Sequence, residues 1–191
     1  MQGKIIIISA PSGSGKSSII HKLMEERKDL RLGFSISATS RKPRAGEEHG
    51  REYYFLSPEE FKEKVEAGHF AEWEEVYEGT YYGTLLSEIE RITSRGDTLI
   101  MDVDVKGGIN LKKQFGDKAL SIFIMPPSIA ELESRLHKRA TDSKEVIAKR
   151  VAKAGYELTF AKDFDCSVVN ANLEKASAQV AALIEAFNPG E

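Results

Sequence analysis

Cysteine is nearly missing from this chain of 191 residues, where Cys166 stands alone. One thiol excludes an intrachain disulfide framework, and a reducing, cytoplasmic setting is the expectation. The neighbouring Val168 and Val169 predict that this thiol is buried. No apolar run approaches the roughly 20 residues needed to span a bilayer, and no basic-then-apolar signal region precedes the strand that starts at Lys4. Neither sign of charge dominates: 27 Lys and Arg face 30 Asp and Glu, for a net charge of −3. No nucleic acid and no membrane is therefore expected as a main partner, and any anion site has to be local. His21, His49, His69 and His137 fall at no metal-ligand spacing, with no cysteine to complete a site. Internal repeats and low-complexity stretches are missing as well. What remains is 41% hydrophobic and 30% charged, the composition of a soluble globular chain of roughly one or two domains.

Continuous apolar runs carry the first positive signal. "KIIIIS", "TLIMDVDV" (98–105), "ALSIFIM" (119–125) and "CSVVNA" read as strands buried on both faces. Helical spacing separates them, over 17–28, 108–115, 128–139, 144–160 and 173–187. This alternation predicts an α/β fold with a parallel sheet wrapped by helices. Between Phe34 and Gly83 the pattern changes to period two, with Phe34, Ile36 and Ala38 on one side and Ser35, Ser37 and Thr39 on the other. There Ser57 and Glu60 are spaced as a capping box, Pro58 suits the first helical turn, and Gly68 suits its end. A small α+β insertion on the parallel core is expected, with Trp73 in its own core, and a second, basic insertion around Arg135 to Arg150.

The stretch "IIIISAPSGSGKSSII" (5–20) sets a Gly/Ser loop against the most hydrophobic strand and ends it with a lysine. Ala10, Pro11, Ser12, Gly13, Ser14, Gly15, Lys16 and Ser17 fit the phosphate-loop pattern GxxxxGK[ST] except at Ala10. A triphosphate needs several converging backbone N–H groups, and only small residues let the chain wrap that closely. The following helix, from Ser17 and Ser18 onward, aims its positive end at the same anion. Lys16 supplies a full charge, and the Ser17 hydroxyl is a candidate magnesium ligand. An ordinary strand-to-helix turn is the alternative. Alanine at position 10 requires a backbone with negative φ there.

Further along, Arg41 and Arg44 flank Pro43, and Tyr53 follows a Gly-containing turn. Two guanidinium forks and a phenol suit a second phosphate; on its own the segment reads better as a solvated basic loop. With "SAPSGSGKSS", "SRKPRAGEEHGREYYF", "EWEEVYEGTYYGT", "LIMDVDVKG" and "RLHKRATDSKEVIAKR" in this order, the chain resembles guanylate kinases, which phosphorylate GMP with ATP, over nearly its whole length. The resemblance implies a P-loop parallel sheet built from 1–36, 98–127 and 156–191, a GMP-binding insertion over 37–97 and a helical lid over 128–155.

Carried over residue by residue, the resemblance assigns Arg41, Arg44, Tyr53 and Tyr82 to the GMP phosphate. Glu72 and Thr84 would read guanine, supported by Ser37 and Asp104. Independently, a carboxylate accepts guanine N1–H and N2–H together, whereas adenine offers neither pair of donors, and a hydroxyl can donate to O6. Asp102 would support Mg2+, partly through water, together with Ser17. Arg135, Arg139 and Arg150 would close over the ATP phosphates, with Lys16, Arg41, Arg139 and Arg150 stabilising charge during transfer, and Asn170 would help place adenine. The chain departs from the family's pattern at Ala10, Ser40 and Ala140. One extra residue between Glu72 and Tyr82 leaves the register of Tyr81 against Tyr82 open. A catalytically silent phosphopeptide-binding module and a kinase for a phosphorylated sugar are the alternative functions. Oligomeric state is not written in these motifs.

Overall fold

The structure is a computed structural model describing residues 3–138 and 144–187. Strand β1 (Ile5–Ser9) lies at the centre of a five-stranded parallel sheet. It is flanked by β7 (Thr98–Val103) on one side and β8 (Ala119–Met125) on the other; β2 (Leu32–Phe34) and β9 (Cys166–Val169) form the two edges. The run of isoleucines has a direct reason, because each face of β1 meets helices. Ile6 and Ile8 pack against Ile19, Ile20 and Leu23 of α1 (Lys16–Glu26) and Val180 and Ile184 of α7 (Leu173–Ala186). Ile5 and Ile7 face the other layer, meeting Ile89 and Ile92 of α3 (Leu86–Thr93) and Leu111 of α4 (Val105–Phe115). Burying one such side chain stabilises by about 1.5–3 kcal/mol, so the two-sided seat of β1 anchors the whole core.

A second sheet of four strands runs in the order β4 (Tyr54–Phe55), β3 (Ala38–Thr39), β6 (Thr80–Leu85), β5 (Phe70–Tyr77). It is antiparallel except where β3 and β4 pair in parallel. Helix α2 (Pro58–Glu66) covers it, and Phe61 stacks on Phe70 at 4.4 Å and on Tyr81 at 5.5 Å. The expected capping box is present: Ser57 Oγ accepts from Glu60 N, and Glu60 Oε2 accepts from Ser57 N at 2.7 Å. Gly68 follows that helix with φ 68°. Helices α5 (Ile129–Lys138) and α6 (Lys144–Leu158) pack on each other through Leu132, Leu136, Ile147 and Ala154.

Several expectations give way to tertiary context. The alternating stretch from Phe34 to Thr39 is split between two sheets: β2 joins the parallel core, and only Ala38 and Thr39 enter the mixed sheet. Helix α3 carried no flagged signal, although Glu88, Ile89 and Ile92 form its buried face. The strand expected to reach Val105 stops at Val103, because Asp104 caps α4 by accepting from Gly107 N at 2.7 Å. Helix α6 ends at Leu158, ahead of Phe160. Trp73 does not enter the insertion's core but is 45% exposed, since Phe61, Phe70 and Tyr81 already fill that layer. Cys166 is only half-buried: it sits on an edge strand with Val168 inside and Val169 outside. No helix among the described residues is long and apolar enough to cross a membrane.

Candidate active site

The carboxyl ends of β1 and β7 open onto a cleft of about 340 Å³ lined by residues 10–13, Gly15, Lys16, Ser17, Asp102, Asp104 and Arg150. Ligands of open parallel sheets bind at such a strand edge. Gly13 and Gly15 have φ of 92° and 87°, the left-handed region that glycine occupies without strain. Among the described residues Arg31 is the only non-glycine with positive φ, so Ala10 fits its loop position without backbone strain. Lys16 Nζ donates to Val103 O at 2.7 Å and pairs with Asp102 Oδ1 at 2.5 Å. Ser17 is exposed in the first turn of α1. A hydroxyl and a carboxylate facing one phosphate-sized cleft are hard oxygen donors of the kind magnesium takes. No group of three or more His, Cys, Asp or Glu among the described residues is arranged to hold a metal.

Asn170 is buried behind this loop. Its Nδ2 donates to Ser14 O at 2.8 Å, and its backbone oxygen accepts from Arg135 Nη2 at 2.9 Å. The Asn170 amide therefore braces the loop, and a Cβ on Gly15 would overlap it. Arg135 is held further by Glu131 at 2.9 Å. Arg139 lies outside the described residues.

The mixed sheet holds the second group of residues that the sequence singles out. Arg41 lies over the Tyr53 and Phe55 rings, 5.3 and 5.6 Å from their centroids, and its Nε donates to Tyr82 Oη at 3.3 Å. Tyr53 and Tyr82 meet edge to face at 5.9 Å, and burial raises the Tyr53 hydroxyl's pKa. Tyr81 points to the opposite face, onto Phe61. This places Tyr82, not Tyr81, beside Arg41, and β5 carries an irregularity in its pairing between Glu75 and Tyr77. Arg44 is exposed, with its backbone N–H on Glu47 Oε2 at 2.7 Å. Ser37 is half-buried, and its backbone oxygen accepts from Tyr54 N at 2.9 Å.

Glu72 and Thr84 face each other across β5 and β6, and Thr84 Oγ1 donates to Glu72 Oε1 at 2.8 Å. Burial pushes the Glu72 carboxyl up to about 7, with the nearby Asp104 charge adding to the rise. Glu72 and Asp104 converge over the start of α4, each within 3.0 Å of where a Cβ on Gly107 would sit. Small residues there keep the two acids together.

Four residues beyond those foreseen belong to this region. Lys153 and Glu157 line the cleft beside Arg150; burial raises the Glu157 pKa. Their spacing along one face of α6 was readable, had the charges not resembled a solvated helix. Glu47 pairs bidentately with Arg41. Glu88, 2% exposed, accepts from Ile36 N at 3.0 Å, Tyr54 Oη at 2.7 Å and the Arg91 fork at 2.7 and 2.9 Å. It ties the end of β2 to β4, and no local sequence pattern announces it.

Comparison with known proteins agrees with this layout. A family model described as guanylate kinase matches residues 2–187. A guanylate kinase of Porphyromonas gingivalis is 56% identical over 184 residues, covering 96% of this chain and 97% of that protein. One from Bacteroides thetaiotaomicron is 54% identical over 187 residues, covering 98% and 91%. The crystal structure of guanylate kinase from Anaplasma phagocytophilum superposes with a TM-score of 0.75 at 29% identity, covering 97% of this chain and 86% of that one. With a phosphate loop on a parallel sheet, an arginine–tyrosine cluster beside it and a match that runs almost end to end, the chain belongs to the guanylate kinase family.

Proposed function

We infer that the protein transfers the γ-phosphoryl group of ATP to GMP, giving ADP and GDP. The observation that carries this reading is the convergence of Glu72 with Asp104 at the edge of the phosphate-loop cleft. A buried acid fit to read a base is thereby set beside a loop fit to hold a triphosphate. ATP phosphates would lie on the backbone N–H groups of residues 10–18, with Lys16, Arg135, Arg139 and Arg150 supplying positive charge. The GMP phosphate would lie among Arg41, Arg44, Tyr53 and Tyr82.

Glu72 would accept guanine N1–H and N2–H, with Ser37 and Asp104 supporting the site. Thr84 reaches O6 only by releasing Glu72, an exchange that guanine compensates by donating to the same carboxylate. Asn170 would act on adenine through the loop it braces. Ser17 and Asp102 would hold Mg2+, partly through water, and the ion would supply charge neutralisation to the phosphates.

The GMP phosphate oxygen is already a nucleophile, so no covalent intermediate and no strong base are required. Catalysis then consists of holding two phosphates in line and neutralising charge, in a site closed to water. We assign the parallel sheet to the working core, the mixed sheet to GMP and α5–α6 to a lid. The lone Cys166 suits a reducing compartment such as the cytoplasm.

The deciding experiment measures ADP formation from ATP with GMP, AMP and a sugar phosphate as acceptors. Turnover confined to GMP is expected. A preference for the sugar phosphate would reassign the acceptor, and no turnover by folded protein would favour a binding module.

A further inference from the structure

We propose that Glu47 is a positioning residue for the phosphate clamp: it takes one fork of the Arg41 guanidinium so that the other fork is presented beside Tyr82. This deepens the proposed function and rests on the reading that GMP phosphate lies between Arg41 and the two tyrosines.

A guanidinium has five N–H donors and two distinct forks, the end-on pair Nη1/Nη2 and the side-on pair Nε/Nη2. Glu47 occupies the end-on fork, with Nη1 donating to Oε2 at 2.8 Å and Nη2 to Oε1 at 3.0 Å. The other Nη1 proton goes to Lys42 O at 2.8 Å. Nε–H is directed at Tyr82 Oη, 3.3 Å away, a long contact. One Nη2 proton remains on the same edge as Nε. That edge, with the Tyr82 hydroxyl next to it, is the shape a phosphate oxygen pair requires.

Glu47 is itself anchored and does not swing with Arg41 alone, because the backbone N–H of Arg44 donates to Oε2 at 2.7 Å. The same carboxylate thus sets both the guanidinium of Arg41 and the backbone of Arg44. The Tyr53 and Phe55 rings fix the guanidinium plane from below. A pair that competed with phosphate would occupy the edge facing Tyr82, and Glu47 occupies the other.

The test compares the affinities of GMP and guanosine for the full-length protein, its Glu47→Gln variant and its Glu47→Ala variant, alongside KM for each substrate. Guanosine keeps the base and lacks the phosphate. GMP binding is expected to weaken by about tenfold or more, the order of one well-oriented charged contact. Guanosine affinity and KM for ATP should stay within about twofold. Unchanged or tighter GMP binding in both variants would overturn the proposal, tighter binding marking Glu47 as a competitor for the fork. Equal losses for GMP and guanosine would overturn it too, by showing that Glu47 merely supports the insertion. A wild-type protein that binds no GMP would instead refute the functional reading beneath it.

Discussion

Lys16 reaches from the first turn of α1 to the end of β7, where its ammonium meets the Asp102 carboxylate at 2.5 Å. The loop lysine is therefore held by the strand edge next to β1, aimed across the cleft floor and stabilised by Val103 O. Lys16→Ala should lower kcat by about 10²–10³, the cost of removing one preorganised charge from phosphoryl transfer. The melting temperature should hold, since the side chain lies at the surface of the cleft. Steady-state kinetics and thermal unfolding check both, and unchanged turnover would remove Lys16 from the chemistry.

The role proposed for Glu72 predicts that GMP binding is sensitive to pH. Its folded-state pKa stands at about 7, raised by burial. The ionised form accepts guanine's two donors, so KM for GMP should rise as pH falls from 8 to 6 while KM for ATP stays flat. The stability consequence has the opposite sign. A carboxyl whose folded pKa exceeds its unfolded value binds more protons when folded, so stability is lost as pH rises from the ordinary value of 4.5 through about 7 and stays lost above it. Glu72→Gln should therefore melt higher than wild type at pH 8, with that advantage gone near pH 4, yet bind GMP much more weakly than it binds ATP.

Glu88 contributes in the usual direction for an acid. Burial alone would raise its pKa, but the Arg91 fork, Ile36 N–H and Tyr54 hydroxyl outweigh it and hold the carboxyl below its ordinary range. That stability is present above the unfolded pKa and lost as acid protonates the folded carboxylate. Glu88→Ala removes the acceptor for the half-buried Ile36 N–H and Tyr54 hydroxyl and for the exposed Arg91 fork, and should cost about 1–3 kcal/mol at neutral pH. Chemical denaturation at pH 7 and at pH 4 tests this, with the smaller difference expected at pH 4.

Gly15→Ala places a Cβ onto Asn170 Nδ2 at φ 87°. Either the loop shifts or the Asn170 bond to Ser14 breaks, so KM for ATP should rise about tenfold, a cost of roughly 1–2 kcal/mol. Asn170→Ala, which frees the space but loses the brace, should do similar damage. Normal ATP kinetics in both variants would show that the brace is dispensable.

Apart from helix α3, sequence patterns revealed much of what depends on a residue's near neighbours. The runs in β1, β7 and β8, the Ser57–Glu60 box and the Gly13 and Gly15 loop are all local in this sense. Pairings set by distant chain were not visible. Phe34 joins Ile100 across 66 positions, so the alternation from Phe34 to Thr39 misled. Glu47 looked like one of two adjacent acids in "AGEEHG", and only the folded loop turns it onto Arg41. Trp73 was expected inside because large aromatics usually are, but Tyr81 had already filled the layer.

That outward indole has a practical side. Trp73 is the chain's sole tryptophan, and it adjoins Glu72 on β5 with one edge on Tyr81 at 6.2 Å. Its emission therefore originates from a single known spot, beside the carboxylate assigned to guanine. Because Trp73 shares the Tyr81 side of the sheet while Glu72 pairs with Thr84 on the other, the enzyme carries an intrinsic optical reporter of the mixed sheet's packing, readable without labels or engineered dyes.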